Sequence, residues 1–195
     1  MKKVFLFILA VIPLISFSQN REKFNTVNPI YQEVLPLENE LITFSTVVQV
    51  EGVSKDELYL RAHGWIIKSF NSAKDVVQLD DKEAGKIVCK TVTTLSAGKG
   101  FFGKVVMDIY YLLTIEVRDD RYKISASNFV HQYNEKLGPS SIEGQNSLEE
   151  YFRLKHPTKK EESLNMEIAS KLSNFVWGTF DTAAVDINQV KNDDW

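Results

Sequence analysis

The segment "KVVMDIYYLLTIEVRDDRYKISASNFVH", residues 104–131, constrains the fold more than any other part of the chain. Val105, Met107, Ile109, Tyr111, Leu113, Ile115 and Val117 fall on one side of it, and Lys104, Asp108, Thr114, Glu116 and Arg118 on the other. A period of two sends successive side chains to opposite faces of a strand, so the segment predicts an antiparallel sheet with one covered and one wet face. If Asp119 and Asp120 form a two-residue turn, residues whose numbers sum to 239 stand opposite each other. Val117 then meets Tyr122, Ile115 meets Ile124, Leu113 meets Ala126 and Glu116 meets Lys123. Apolar faces apolar and acid faces base, so both faces agree with one register. Carried on unchanged, it sets Tyr110 against Phe129 and Asp108 against His131.

Helices frame this sheet in the sequence. Ser54 with Glu57 three residues on is a capping box, and Val53 with Leu58 a hydrophobic staple. At 100° per residue, Leu58, Ala62, Trp65, Ile66 and Ser69 share a core-facing stripe with Tyr59 beside it. Lys55, Glu57, Arg61 and Lys68 form a solvated face. Leu60, Gly64 and Ile67 line a third side, which calls for a further packing partner, and His63 borders it as a packed or half-exposed histidine. Thr158 and Glu161 make a second capping box after Pro157, opening a long amphipathic helix with Leu164, Ile168, Leu172, Phe175, Val176 and Thr179 on one stripe.

The remaining signals divide the chain. Residues 1–18 hold Lys2 and Lys3, an apolar run from Val4 to Ile15, and small residues at Ser16 and Ser18, the pattern of a cleaved secretory signal peptide. The run is too short to span a bilayer comfortably, so no stable membrane anchor is expected after cleavage. Residues 19–40, with Pro29 and Pro36, read as an extended lead-in on the surface. Residues 41–131 form one α+β domain whose first strand is "LITFSTVVQV". Residues 132–157 read as a loop with a short helix, 158–185 as the C-terminal helix and 186–195 as an acidic tail.

Charge and cysteine usage narrow the function. Loss of residues 1–18 would leave 21 basic against 26 acidic side chains, and no basic stripe interrupts that excess. Nucleic acid is therefore not an expected partner. The single cysteine, Cys89, excludes an internal disulfide and sits too far downstream for a lipid anchor. Within "KIVCKTV" it reads as a small buried hydrophobe. Asp80, Asp81 and Glu83 in "DDKEAG" lack the alternating ligands of an EF-hand loop and read as a solvated hairpin turn. The three histidines stand at no metal-ligand spacing. Neither a metal nor a cofactor is expected.

The order strand, helix, four antiparallel strands, helix, together with Ser54-Lys55-Asp56-Glu57-Leu58-Tyr59, Trp65, Phe70 and Gly85-Lys86-Ile87, resembles an exported bacterial family of unknown function with a TATA-binding-protein-like (TBP-like) fold. The resemblance covers roughly Leu41 to His131. It implies a curved antiparallel sheet of about five strands, with a capped helix after the first strand and a long C-terminal helix packed on one face. It brings no catalytic residues.

Three functions follow as expectations. The first is a non-catalytic binding domain of the cell envelope, in the periplasm or at the cell surface, whose partner is a small molecule or an envelope protein. Its contact surface is the open sheet face, with Tyr110, Leu112 and Phe129 as an apolar centre beside Asp108 and His131. The second is an envelope hydrolase using Asp108 and His131 as an acid/base pair. No nucleophile signature such as G-x-S-x-G accompanies that pair. The third is a passive assembly component that makes contact through the C-terminal helix.

Overall fold

The computed structural model describes residues 27–70, 72–98, 105–137, 140–153 and 156–189. The expected signal peptide and the end of the expected acidic tail lie outside these residues.

β6 (Val105–Arg118) and β7 (Arg121–Leu137) form the hairpin that the alternation predicts, with Asp120 in the left-handed region at φ 64°. The expected register holds from Val117–Tyr122 to Leu112–Ser127. β5 (Lys86–Ala97) pairs along the far side of β6, and β4 (Val77–Asp81) forms the edge beyond it. β3 (Phe44–Gln49) pairs with the first part of β7, and β8 (Ser140–Ser147) pairs with its last part. Both lie along the same side of β7, one after the other, and all six strands are antiparallel. β1 (Leu37–Glu38) and β2 (Leu41–Ile42) form a separate small ladder.

Two corrections follow. Among the described residues the sheet has six strands rather than about five, and β8 with the end of β7 occupies residues read as loop. "SSIEGQNS" lacks apolar alternation, so its pairing shows only in the backbone hydrogen bonds. The lead-in is also not a surface segment, because Val27, Tyr31 and Leu35 are fully buried. Asn28 donates its N–H to the Phe152 carbonyl, and Tyr31 packs on the Phe152 ring with centroids 5.2 Å apart. Each fully buried side chain of this size contributes roughly 1.5–3 kcal/mol.

α1 (Lys55–Ser69) and α4 (Lys159–Asn188) cover the inner face, with the short α2 (Ala73–Val76) and α3 (Leu148–Tyr151) at its margins. The Ser54 side chain accepts the Glu57 N–H, and Asp119 Oδ1 accepts the Lys55 N–H at 2.8 Å. Thr158 and Glu161 form the expected reciprocal box. α4 runs unbroken past Gly178, and its buried stripe is Ile168, Leu172, Val176, Phe180, Ala183 and Ile187. Phe175 and Thr179, expected on that stripe, lie at its part-exposed margin, the Phe175 ring edge-on to Tyr111 at 6.2 Å. Against the expected partner for the third side of α1, Leu60 and Ile67 remain 58% and 56% exposed.

One knot ties these elements together. The N–H of Gly52 donates to Asp120 Oδ1, that of Asp120 to the Val53 carbonyl and that of Val117 to the Gly85 carbonyl, while Lys55 Nζ donates to the Glu83 carbonyl. The start of α1 and the two hairpin turns thus interlock. The motifs around Ser54 and Gly85 are therefore structural. Gly85 sits at φ +67°, where a Cβ would lie 2.7 Å from the Val117 carbonyl oxygen.

Candidate functional site

The 239 register fails at one residue. Leu112 pairs with Ser127 but Tyr110 pairs with Val130, so β7 carries an extra residue there, and Asn128 lies in the left-handed region at φ 55°. A bulge of this kind reverses the faces of everything beyond it. Phe129 goes under the sheet, fully buried and stacked on Tyr111 at 5.4 Å. His131 follows it, 8% exposed, with the Tyr151 ring edge-on at 5.3 Å. Burial holds its pKa below the ordinary histidine value, and a hydrogen bond with the Gln132 backbone opposes that shift in part.

The expected grouping is corrected accordingly. Asp108, Tyr110 and Leu112 lie on the open face, whereas Phe129 and His131 do not. Asp108 pairs with Gln132 and accepts the Thr94 hydroxyl at 2.6 Å, so the expected Asp108–His131 acid/base pair is not assembled. Tyr110 has Lys90 Nζ 6.0 Å from its ring centroid.

The bulge also opens a cleft of about 840 Å³ where β3 stops and β8 ends beside β7. Leu112, Ser127 and Asn128 line it on the sheet side, Asn39, Glu40 and Leu41 from the β1–β2 turn, and Ser147, Glu149, Glu150 and Arg153 from the α3 side. Asn39 and Glu40 have φ 51° and 68°. Three of the four described non-glycine residues with positive φ therefore lie around this one cleft. Such conformations cost of order 1–3 kcal/mol each and persist only where their surroundings hold them.

Hydrogen bonds fix the walls. Glu149 Oε1 accepts the Ile42 N–H at 2.8 Å in a buried contact, joining the β1–β2 ladder to α3. Ser147 caps α3 by accepting the Glu150 N–H, and Arg153 reaches Glu150 at 3.5 Å. The cleft offers amides, hydroxyls, carboxylates and a guanidinium around the apolar Leu41 and Leu112. That set suits a polar ligand held by several hydrogen bonds. Neither of its serines is hydrogen-bonded to a histidine among the described residues.

A second polar cluster lies between α1 and β4. Asp80 accepts the Tyr59 hydroxyl on one oxygen and stands 3.2 Å from His63 Nε2 on the other. Burial foremost, then the Asp80 contact, raises the Tyr59 pKa, which keeps the phenol protonated as a donor. Asp81 Oδ1 accepts the Ala84 N–H, closing the hairpin turn. Among the described residues no three His, Cys, Asp or Glu side chains are placed to hold a metal ion. Burial foremost pushes the Cys89 thiol up to about 11, with the Asp80 charge adding to the shift.

The sequence reading missed Asn39, Glu40, Asn128, Glu149 and Arg153. One signal was available for Asn128. Tyr122, Ile124 and Ala126 alternate, yet the next large apolar residue is Phe129, and a three-residue step inside a period-two pattern marks a bulge.

Residues 44–132 match the family described as a domain of unknown function (DUF4468) with TBP-like fold. Over these residues, somewhat under half of the chain, the sequence is similar to DUF4468. A DUF4468 family protein from Bacteroides ovatus has a solved structure similar to this one, with 16% identity, a TM-score of 0.63, and coverage of 82% of this chain and 93% of that chain. A TBP-like protein from Parabacteroides distasonis is similar with 22% identity, a TM-score of 0.53, and coverage of 77% and 97%. At these identities the likeness is one of fold. It reaches beyond the DUF4468 match, since 82% of the chain is more than residues 44–132 supply. No curated protein matches the chain.

Proposed function

We propose that this protein is an exported, non-catalytic binding domain of the cell envelope, and that its ligand is a small polar molecule or short polymer segment of the envelope. The cleft at the Asn128 bulge is its binding site. The observation that carries this reading is the gathering of Asn39, Glu40 and Asn128, all at positive φ, around one cleft beside the partly exposed Leu112. A bulge that bends a strand and opens a recess needs compensation from packing, and such features concentrate at functional positions. Lys2, Lys3 and the apolar run from Val4 to Ile15 support export. The acidic balance argues against nucleic acid as the ligand.

The test is native mass spectrometry of the protein purified from its native host, beside a Leu112→Arg variant. Leu112 is half-buried at the edge of the cleft, so arginine there fills the recess without entering the core. A retained small-molecule mass on the wild type that disappears from the variant supports the reading. A bare wild-type protein that also fails to bind a panel of soluble peptidoglycan fragments and envelope saccharides overturns it.

A further inference from the structure

We propose that the open sheet face carries, at its turn end, an anion site for a phosphate-bearing ligand, built from Arg118, Arg121 and Lys123. The site is separate from the bulge cleft and stands without it. From Ser127 to Lys123 the chain runs four residues, about 13 Å of strand at an ordinary rise.

Strand register forces these cations together. Arg118 pairs directly with Arg121 across the β6–β7 turn, and in the next row Lys86, Glu116 and Lys123 stand side by side on β5, β6 and β7. Directly opposed like charges on neighbouring strands destabilise a hairpin. A nearby carboxylate would normally offset that cost, but the nearby acids are committed elsewhere. Glu116 is bridged to Lys86 at 3.2 Å, while Asp119 and Asp120 accept the backbone N–H groups of Lys55 and Gly52. Among the described residues no carboxylate lies within ion-pair distance of Arg118, Arg121 or Lys123.

The cations also line a recess of about 270 Å³, with the exposed Val47 as its apolar side chain and Glu116, held by Lys86, on its wall. A tetrahedral oxyanion fits there, and two guanidinium forks match phosphate geometry better than ammonium groups do. The chain as a whole is acidic, with a formal charge of −3. This patch therefore runs against the sign of the molecule, and an Arg–Arg pair that makes no ion pair among the described residues is explained by the anion it receives.

The experiment titrates inorganic phosphate into isotopically labelled protein at constant ionic strength, with chloride as the control. Backbone amide shifts are followed for the wild type and for an Arg118→Gln/Arg121→Gln double variant. Saturable shifts at Glu116, Arg118, Arg121 and Lys123, absent with chloride and weakened at least tenfold in the double variant, support the site. Co-sedimentation with phosphatidylcholine vesicles, with and without phosphatidylglycerol, then separates the sources. Binding only to the anionic vesicles assigns the phosphate to a lipid headgroup, and binding to neither assigns it to a soluble ligand. An Arg121→Glu variant, which replaces the like-charge pair with an ion pair, should melt higher than wild type and lose the phosphate response. Phosphate shifts no larger than those with chloride, or an undiminished response in the double variant, overturn the proposal.

Discussion

The ring of Phe129 lies stacked on that of Tyr111, with planes 20° from parallel, because Asn128 puts β7 one residue out of step with β6. Without that residue the aromatic side chain would point to the wet face. The pair makes the bulge part of the core, and it sets the terms on which the cleft exists.

Asn128 should accordingly be replaceable only by residues that tolerate φ 55°. Asn128→Gly is expected to stay within about 0.5 kcal/mol of wild type, since glycine enters this region without strain. Asn128→Val should cost about 1–2 kcal/mol, because a β-branched residue pays the full left-handed penalty. Deleting Asn128 should cost more, roughly 3–5 kcal/mol, the size of losing a buried phenylalanine. Urea unfolding midpoints check all three. Equal midpoints for the glycine and valine variants would show that the bulge carries no strain.

Two glycines should respond to alanine with opposite signs. At Gly85 the new Cβ would stand 2.7 Å from a backbone oxygen at φ +67°, so Gly85→Ala should lose at least about 2 kcal/mol. At Gly64, inside α1, nothing lies within 4 Å of the added carbon, and Gly64→Ala should gain about 1 kcal/mol through helix propensity. Thermal melts of both variants suffice, and a stabilised Gly85→Ala protein would contradict the interlocked turns.

What could be read in the sequence was whatever repeats or caps locally. The β6–β7 alternation, the box at Thr158 and the apolar stripe on α1 declare themselves through spacing alone, and the structure contains them, whereas Ser54 caps α1 without the return bond because Glu57 pairs with Arg61. The cleft does not, because Asn39, Asn128 and Glu149 meet only through long-range pairing, with 107 residues separating Ile42 from the Glu149 that anchors it. The Asp108–His131 expectation failed for a related reason. A register is extrapolated one residue at a time, so a single inserted residue turns every later side chain over.

Cys89 should resist modification in the folded protein. It is 1% exposed, and burial pushes its thiol up to about 11, so almost no thiolate is present at neutral pH. A thiol-reactive chromophore at pH 7.5 should label it at the rate of global unfolding and immediately in denaturant. Rapid labelling under native conditions would mean that β5 opens locally.

His131 should make stability fall in weak acid. The folded protein holds the ring below its ordinary pKa because burial disfavours the cation, so the unfolded chain takes up the proton more readily. Its contribution is therefore complete above the unfolded value of about 6.5 and is lost as the pH drops from there through the lowered folded value. Glu161 acts in the same direction but in a more acidic range, since its carboxylate, hydrogen-bonded by the Thr158 backbone and hydroxyl, lies below the ordinary glutamate value. The two are separable by pH. A His131→Phe variant keeps a ring against Tyr151 and has no proton to gain. Its melting temperature should therefore fall less than that of wild type between pH 7.5 and pH 5.5. Equal losses in both proteins over the upper interval would place the imidazole in contact with solvent, and the reversal of faces at Asn128 would then have to be abandoned.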